Sequence, residues 1–337
     1  MVTLKDIAKE ANVSLMTVSN VINGNLHKVS KEKAELIQSI IKERHYVQNA
    51  TARSLAKAHS NIIAIMLRNL KGENSLSSPH NAVLIGEIIH HLQAFGYFAM
   101  INLVESQEDI ARNLISWNAR GAIFLGMLDN EIEQIYALSS IPMVFIDSYS
   151  NVRQLSSVGI DDYKGGRLAA QYLIENGHRG IAFVSPPDYD NSVIAHRLQG
   201  FTDTLAAHNI LFPPEHRLTL TSDVDPLCVS EAVRRLLELR GKITAIFATS
   251  DQLAAALIGG ISANGVRVPE DMSVIGFDNM PVCMQISPQL TTIAQDLKDK
   301  ATLTVDILQR RLQNQSAPAE SRVLNVRLIP RNSVRKL

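Results

Sequence analysis

The 337-residue chain is 46% hydrophobic, yet no apolar run approaches the roughly 18 residues that a bilayer-crossing helix requires. Its first residues, MVTLKDIAKE, are charged and amphipathic and lack the apolar centre of a signal peptide, so a cytoplasmic protein is expected. Two cysteines, Cys228 and Cys283, are too few and too isolated for a disulfide framework or a zinc site. Aromatic residues make up only 5% of the chain, which favours a small polar ligand over an oligosaccharide that must be stacked. No GxGxxG follows a strand-like run, and neither GxxxxGKS/T nor HExxH occurs. The pair Gly165–Gly166 could suggest a phosphate loop, but two glycines opening a helix also serve tight packing. His90–His91 lies on an amphipathic stretch as solvated surface, and no nucleophile stands beside a base. No enzyme activity, cofactor or metal is therefore expected. Low-complexity segments are missing too, and no strong internal repeat is seen.

Net charge is zero, which by itself argues against a nucleic-acid binder. The distribution argues otherwise. Residues 1–60 carry nine basic side chains against five acidic ones, so a head with four excess positive charges precedes a mildly acidic body. Phosphate contact at one end only is what such an arrangement suits.

The stretch Thr3–Gly24, TLKDIAKEANVSLMTVSNVING, explains that head. Leu4, Ile7, Ala8 and Ala11 recur at helical spacing. Thr3 stands before them with Asp6 three residues on, a capping-box arrangement. Asn12 tolerates the left-handed conformation of a sharp turn, and Ser14 can cap a second helix whose Val18, Val21 and Ile22 face inward. Leu15, Met16, Thr17, Ser19 and Asn20 are left facing outward near its start. That is a helix-turn-helix, whose second helix enters the major groove. A third helix is predicted over Ser30–Arg44 with Ser30 as N-cap and Ala34, Ile37, Ile40 and Ile41 inward. Asn49–Ala58 reads as a helix too short to be stable alone.

TVSNVING at the start of the chain resembles the recognition helix of the lactose-repressor (LacI/GalR) family of bacterial transcriptional regulators. Further resembling landmarks are SVGIDDYKGGRLAAQYLIENGHRGIAFVS, HRLQGF, AIFATSDQLAAALIGG, MSVIGFDN and PQLTTIAQD, so the resemblance covers essentially the whole chain. It implies a hinge helix at 48–60 that folds on DNA, pairs with its twin in a dimer, and inserts Leu55 into the minor groove. DNA contact is expected from Thr3, Ser14, Leu15, Met16, Thr17, Ser19, Asn20, Asn23, Asn49, Ala52 and Leu55. Two departures stand out. Gln48 replaces the proline common before the hinge, and Asn20 stands where many members carry arginine, favouring adenine over guanine.

From Asn61 short apolar runs at Ile62, Phe98, Ala122, Met143, Ile181, Ala245 and Met272 alternate with helical stretches. This is α/β alternation, and about seven strands fit two doubly wound parallel-sheet lobes. The expected architecture is an all-α helix-turn-helix head (1–47), a hinge helix and linker (48–60), and a core (61–331) resembling periplasmic sugar-binding proteins. By that analogy the first lobe holds about 61–160 and 290–318, and the second about 161–289 and 319–331.

Ligands of open α/β sheets bind beyond the carboxyl ends of strands. By that rule Asp147, Ser250, Asp251 and Asp278 are candidates, although Asp at a strand end also caps helices and forms turns. Arg197 begins a long helix; it could equally form a surface ion pair. Carboxylates and a guanidinium facing a cleft suit vicinal hydroxyls. The resemblance assigns Arg197, Asp278 and Asp147 to effector contact, with Ser250 in place of a more usual asparagine and Leu297 as cleft wall. His80 and Asn81 are further candidates. Together these features predict a homodimeric repressor of a pseudo-palindromic operator, controlled by a small effector such as a sugar or sugar phosphate. A corepressor-dependent regulator uses the same parts, and a sugar-binding transport protein shares the core. The terminal RNSVRKL contains no leucine heptad, so no tetramerising tail is expected.

Overall fold

The computed structural model describes residues 2–22, 24–46, 60–69, 74–151, 154–221 and 225–337, with Gln107 described for its backbone only. The expected hinge helix and Asn23, Asn49, Ala52 and Leu55 lie outside the described residues. The chain divides into two compact units, 1–60 and 61–337.

The first unit contains α1 (Leu4–Glu10), α2 (Leu15–Ile22) and α3 (Lys31–Glu43). The capping box forms: Thr3 Oγ1 accepts the Asp6 amide at 3.3 Å while Asp6 Oδ2 accepts the Thr3 amide at 2.8 Å. These bonds to Thr3 hold the Asp6 carboxyl below its usual range. Asn12 turns the chain at φ +50°, and Ser14 Oγ accepts the Thr17 amide at 3.1 Å. Ser30 precedes α3 in extended conformation, but its side chain makes no capping bond. Ile7, Val18, Val21, Ile37 and Ile40 meet in a small apolar core.

In the second unit each lobe is a six-stranded sheet covered on both faces. The first sheet contains β1 (Ile62–Arg68), β2 (Phe98–Val104), β3 (Gly121–Leu125), β4 (Met143–Ile146) and β5 (Ser157–Ile160). Its helices are α4 (Pro79–Ala94), α5 (Gln107–Ser116) and α6 (Asp129–Leu138). Pleating sends Ile63, Ile65 and Leu67 of β1 to one face, where they meet α4, and Ala64 and Met66 to the other, where they meet α5 and α6. The second lobe follows with α7 (Asp162–Glu175), β6 (Ile181–Ser185), α8 (Val193–Ala207), β7 (Arg217–Thr219) and α9 (Pro226–Glu238). It continues through β8 (Ala245–Ala248), α10 (Asp251–Ala263), β9 (Ser273–Asp278), the short α11 (Val282–Gln285) and β10 (Thr291–Ala294). Then α12 (Leu297–Gln313) packs back on the first lobe, and β11 (Ser321–Leu324) and β12 (Arg327–Ile329) close the two sheets.

Strand order is β11-β5-β4-β3-β1-β2 in one sheet and β12-β10-β9-β8-β6-β7 in the other. The expected lobe boundaries need correcting at two strands. β10, expected in the first lobe, pairs with β9 in the second sheet, and β11, expected in the second, pairs with β5 in the first. The chain therefore crosses between lobes after β5, β10 and β11. Short strands of three or four residues carry no periodicity of their own, so their sheet is decided by which neighbour satisfies their backbone groups. β5, β7, β10, β11 and β12 also carry polar residues in those few positions, so they do not stand out in the sequence as the equally short but wholly apolar β4 and β8 do.

The glycines at Gly166 and Gly200 allow α7 and α8 to approach backbone to backbone. A Cβ on Gly166 would lie 1.9 Å from the Arg197 carbonyl oxygen, and one on Gly200 would lie 1.9 Å from that of Tyr163. Packing, not phosphate binding, accounts for the GG pair, and it sets Arg197 against the start of α7.

Candidate functional site

Two surfaces merit description, one in each unit. On the head, the first turn of α2 presents Leu15 and Met16, which are 44% and 71% exposed. Exposed apolar side chains on an eight-residue helix with no acidic residue in its first turn suit thymine methyls more than they suit water. Thr17, Ser19 and Asn20 are half-buried beside them. Thr3 and Ser14 are exposed, and both spend side-chain oxygen on capping.

In the core, a cavity of about 330 Å³ opens between the two lobes. From the first lobe it is lined by Arg68, Ser75, His80, Asn81 and Asp147; from the second by Arg197, Thr249, Ser250 and Asp278. Six of the eight candidates from sequence are thus brought together. Asp251 and Leu297 do not line this cavity. Asp251 is fully buried at the start of α10, where Oδ2 accepts the Met280 amide at 2.7 Å and Oδ1 the Thr292 hydroxyl at 2.5 Å. It fastens the loop that follows β9. Leu297 is buried in the first turn of α12.

The cavity carboxylates sit on unusual backbone. Asp147 ends β4 at φ +51°, and Asp278 ends β9 at φ +113°. Such conformations cost free energy for a non-glycine residue and concentrate at binding sites. Both are held by a buried relay. Lys300, at 0% exposure, donates to Asp147 Oδ1 and Oδ2 at 2.8 and 2.9 Å and to Gln295 Oε1 at 2.7 Å. Gln295 Nε2 in turn donates to Asp278 Oδ1 at 2.6 Å. The relay therefore runs from one lobe to the other through the crossover between β10 and α12. Burial pushes the Asp147 carboxyl up, but the neighbouring Lys300, His80 and Arg197 together more than offset this and leave it below the usual range.

A second relay holds Arg197. Its Nε donates to Asp162 Oδ1 at 2.7 Å, its Nη1 donates to the Thr249 carbonyl at 2.8 Å, and the guanidinium lies 3.6 Å from the Phe277 ring centroid. The Tyr149 hydroxyl, from the first lobe, lies 2.6 Å from Asp162 Oδ2 and 3.0 Å from the Ile160 carbonyl. Burial raises the Asp162 carboxyl despite Arg197, whereas Asp162, Asp278 and Asp147 together lift the Arg197 guanidinium against its own burial. Burial and the Asp162 charge also push the Tyr149 hydroxyl up. A planar donor locked on three sides points its remaining N–H groups at the cavity with little freedom left to lose.

Comparison with known proteins bears on both surfaces. Residues 3–49 match the model for bacterial regulatory proteins of the lacI family, and 170–334 match a periplasmic binding protein-like domain. The HTH-type transcriptional repressor PurR of Edwardsiella ictaluri (strain 93-146) is 31% identical over 342 residues, covering 99% of this chain and 97% of that one. The chain belongs to the lacI family. A solved lac repressor dimer, bound to operator and the anti-inducer ONPF, superposes with TM-score 0.85 at 26% identity, covering 99% of both chains. The complex of the transcriptional regulator CelR with cellobiose gives 0.73 at 27% identity, covering 99% of this chain and 100% of that one. This lacI-family chain is accordingly a DNA-binding transcriptional regulator with an effector-binding core. No described helix is long and apolar enough to cross a membrane.

Sequence reasoning missed the residues behind the cavity wall. Lys300 lies in LKDKATL, which reads as a solvated charged turn, and only the return of α12 onto the first lobe buries it. Asp162, the second carboxylate of IDDYKGG, was indistinguishable from its capping neighbour Asp161, which accepts the Lys164 amide. Arg68 and Ser75 reach the cavity from positions with no pattern of their own.

Proposed function

We propose that this lacI-family regulator is a repressor that binds a pseudo-palindromic operator as a homodimer. Its operator affinity is set by a small effector, a sugar or sugar phosphate, held between the core lobes. His80, Asn81, Asp147, Arg197, Ser250 and Asp278 carry the effector contacts. Thr3, Ser14, Leu15, Met16, Thr17, Ser19 and Asn20 carry the described DNA contacts, with Leu55 as minor-groove wedge in the hinge. The observation that supports this most directly is the convergence of Arg197, Asp147 and Asp278, from both lobes, on one polar cavity at the carboxyl ends of the strands. Similar solved structures include a lac repressor bound to operator and ONPF and a transcriptional regulator CelR in complex with cellobiose. A cytoplasmic binding protein without turnover fits this reading, because Asp147 is engaged by Lys300 and Arg197 by Asp162.

Coupling follows thermodynamic reciprocity: an effector that weakens operator binding is itself bound less tightly by the operator complex. The test is selection from a random duplex pool at moderate salt, with and without a small-molecule extract. Enrichment of a palindrome with half-sites about one helical turn apart supports the reading. An extract that leaves retention unchanged, or an Asp278→Ala chain that responds like the parent, sinks the effector site.

A further inference from the structure

A second cavity, of about 460 Å³, lies between the last turn of α12 and the crossover into β11. Arg310 and Arg311 reach it from the helix, Glu320 and Arg322 from the crossover and β11, and Gln154 from the segment before β5. It stands at the amino ends of β5 and β11, whereas the cleft lies at the carboxyl ends of the strands. Lys300 marks the cleft end of α12, and Arg311 follows three turns later, about 16 Å along the axis. Elsewhere in the core Arg68, Arg197, Arg267 and Lys300 each have a carboxylate to themselves. Here three arginines line a cavity that holds one. Arg310 Nε and Nη2 donate to Glu320 Oε2 at 3.2 and 2.9 Å, and Arg322 Nη2 lies 2.7 Å from Oε1. Arg311 receives no carboxylate: its Nη1 donates to the Ala317 carbonyl at 3.1 Å, and its Nε is buried without a partner.

The charge and the geometry ask for the same partner. Three guanidiniums against one carboxylate leave two positive charges uncompensated among the residues that line the cavity. The Nε–Nη2 edge of a guanidinium grips an oxyanion through two parallel bonds, and on Arg311 this edge is unengaged. A buried donor left without a partner costs free energy that a ligand oxygen recovers. The nearby acceptors of the crossover are already taken, the Ala317 carbonyl by Arg311 and the Ala319 carbonyl by Gln154 Nε2 at 3.4 Å. A phosphate monoester carries a charge of about −1.5 to −2 near neutral pH and three acceptor oxygens, which match both the excess charge and the donors. A carboxylate brings half that charge and one oxygen fewer. The volume is that of a small-molecule site, and Ile307 and Pro318 offer apolar wall to a carbon skeleton.

We infer that this cavity binds the phosphate monoester of a small metabolite, at a site separate from the cleft, with Arg311 gripping the phosphoryl group and Arg310 and Arg322 balancing its charge. The test is isothermal titration calorimetry of the full chain at low salt with triose, pentose and hexose phosphates, and with a phosphoserine peptide. The Asp278→Ala chain is titrated in parallel to separate the cleft from this cavity. At least one small monoester binds saturably, and equally well to the parent and to Asp278→Ala. Arg311→Gln weakens that monoester about tenfold, as loss of charge-assisted bonds predicts. Glu320→Gln removes the competing carboxylate and tightens it about fivefold. A damaged fold does not bind more tightly, so the second variant separates a lost site from a lost structure. Binding of no small monoester overturns the inference, and so does affinity that is unchanged in Arg311→Gln or no tighter in Glu320→Gln. A peptide that binds where no small monoester does moves the occupant to a protein and overturns it too. Binding abolished by Asp278→Ala overturns this site while supporting the cleft as the effector site, so the two readings fail separately.

Discussion

Replacing Lys300 with methionine tests the central element of the core. Lys300 has no exposed surface and gives its ammonium to both Asp147 oxygens and to Gln295. Removing one partner of a buried pair costs about 3–5 kcal/mol, because the other charge is left uncompensated. The Asp147 side chain keeps 19% exposure toward the cleft, so the lower end, about 3 kcal/mol, is expected. Asp147→Asn should cost a comparable amount by stranding the ammonium. The double variant should recover most of the loss, since a neutral pair of similar volume is often as stable as the ions it replaces. Urea unfolding of the four proteins, followed by circular dichroism, gives the coupling. The pH dependence adds a sign. The folded Asp147 carboxyl lies below its ordinary 3.8, so its stabilisation is present above that value and lost as pH falls through the lowered one. The gap between the parent and Lys300→Met should therefore be constant at neutral pH and narrow in acid. Single costs that simply add, with a gap indifferent to acid, would refute the reasoning.

Other consequences can be checked as directly. Gly200→Ala places a Cβ 1.9 Å from the Tyr163 carbonyl oxygen, so α7 and α8 must separate; a loss of about 3 kcal/mol in core stability is expected from denaturant midpoints. Met16→Ala, at a position 71% exposed, should leave the melting temperature within a degree or two and weaken the selected operator in gel-shift titrations. Asp251 is raised to about 7, by burial first and by the neighbouring Asp278 charge second. A raised carboxyl stabilises the fold fully below its unfolded value of 3.8, and that stability is lost as pH rises toward 7. Asp251→Asn should flatten this slope in melting curves taken from pH 4 to 8.

Much of the head was legible because its signals are local. Thr3, Asp6 and Ser14 act through bonds to residues three positions away and Asn12 through its own left-handed backbone, and the structure shows each where the spacing predicts it. The exception, Ser30, starts its helix without a side-chain capping bond. The apolar strands from Ile62 to Phe277 were legible for another reason. Strands buried on both faces read as continuous hydrophobic runs. The rule that ligands gather at strand ends located Asp147, Ser250 and Asp278, but could not tell which way Asp251 turns one residue later.

What the sequence by itself determined is therefore the alternation of strands and helices, the capped helix pair, and the carboxylates at strand ends. All of these are set by a residue's own chemistry and its near neighbours. What only the tertiary structure decided is which sheet receives β10 and β11, and which charges are spent inside the protein. Lys300 and Asp147 are 153 positions apart, and Arg197 and Asp162 are 35 apart. Whether such groups meet depends on how the lobes cross over, because a charge finds its partner through space and its cost through burial, and neither is written in the spacing of residues.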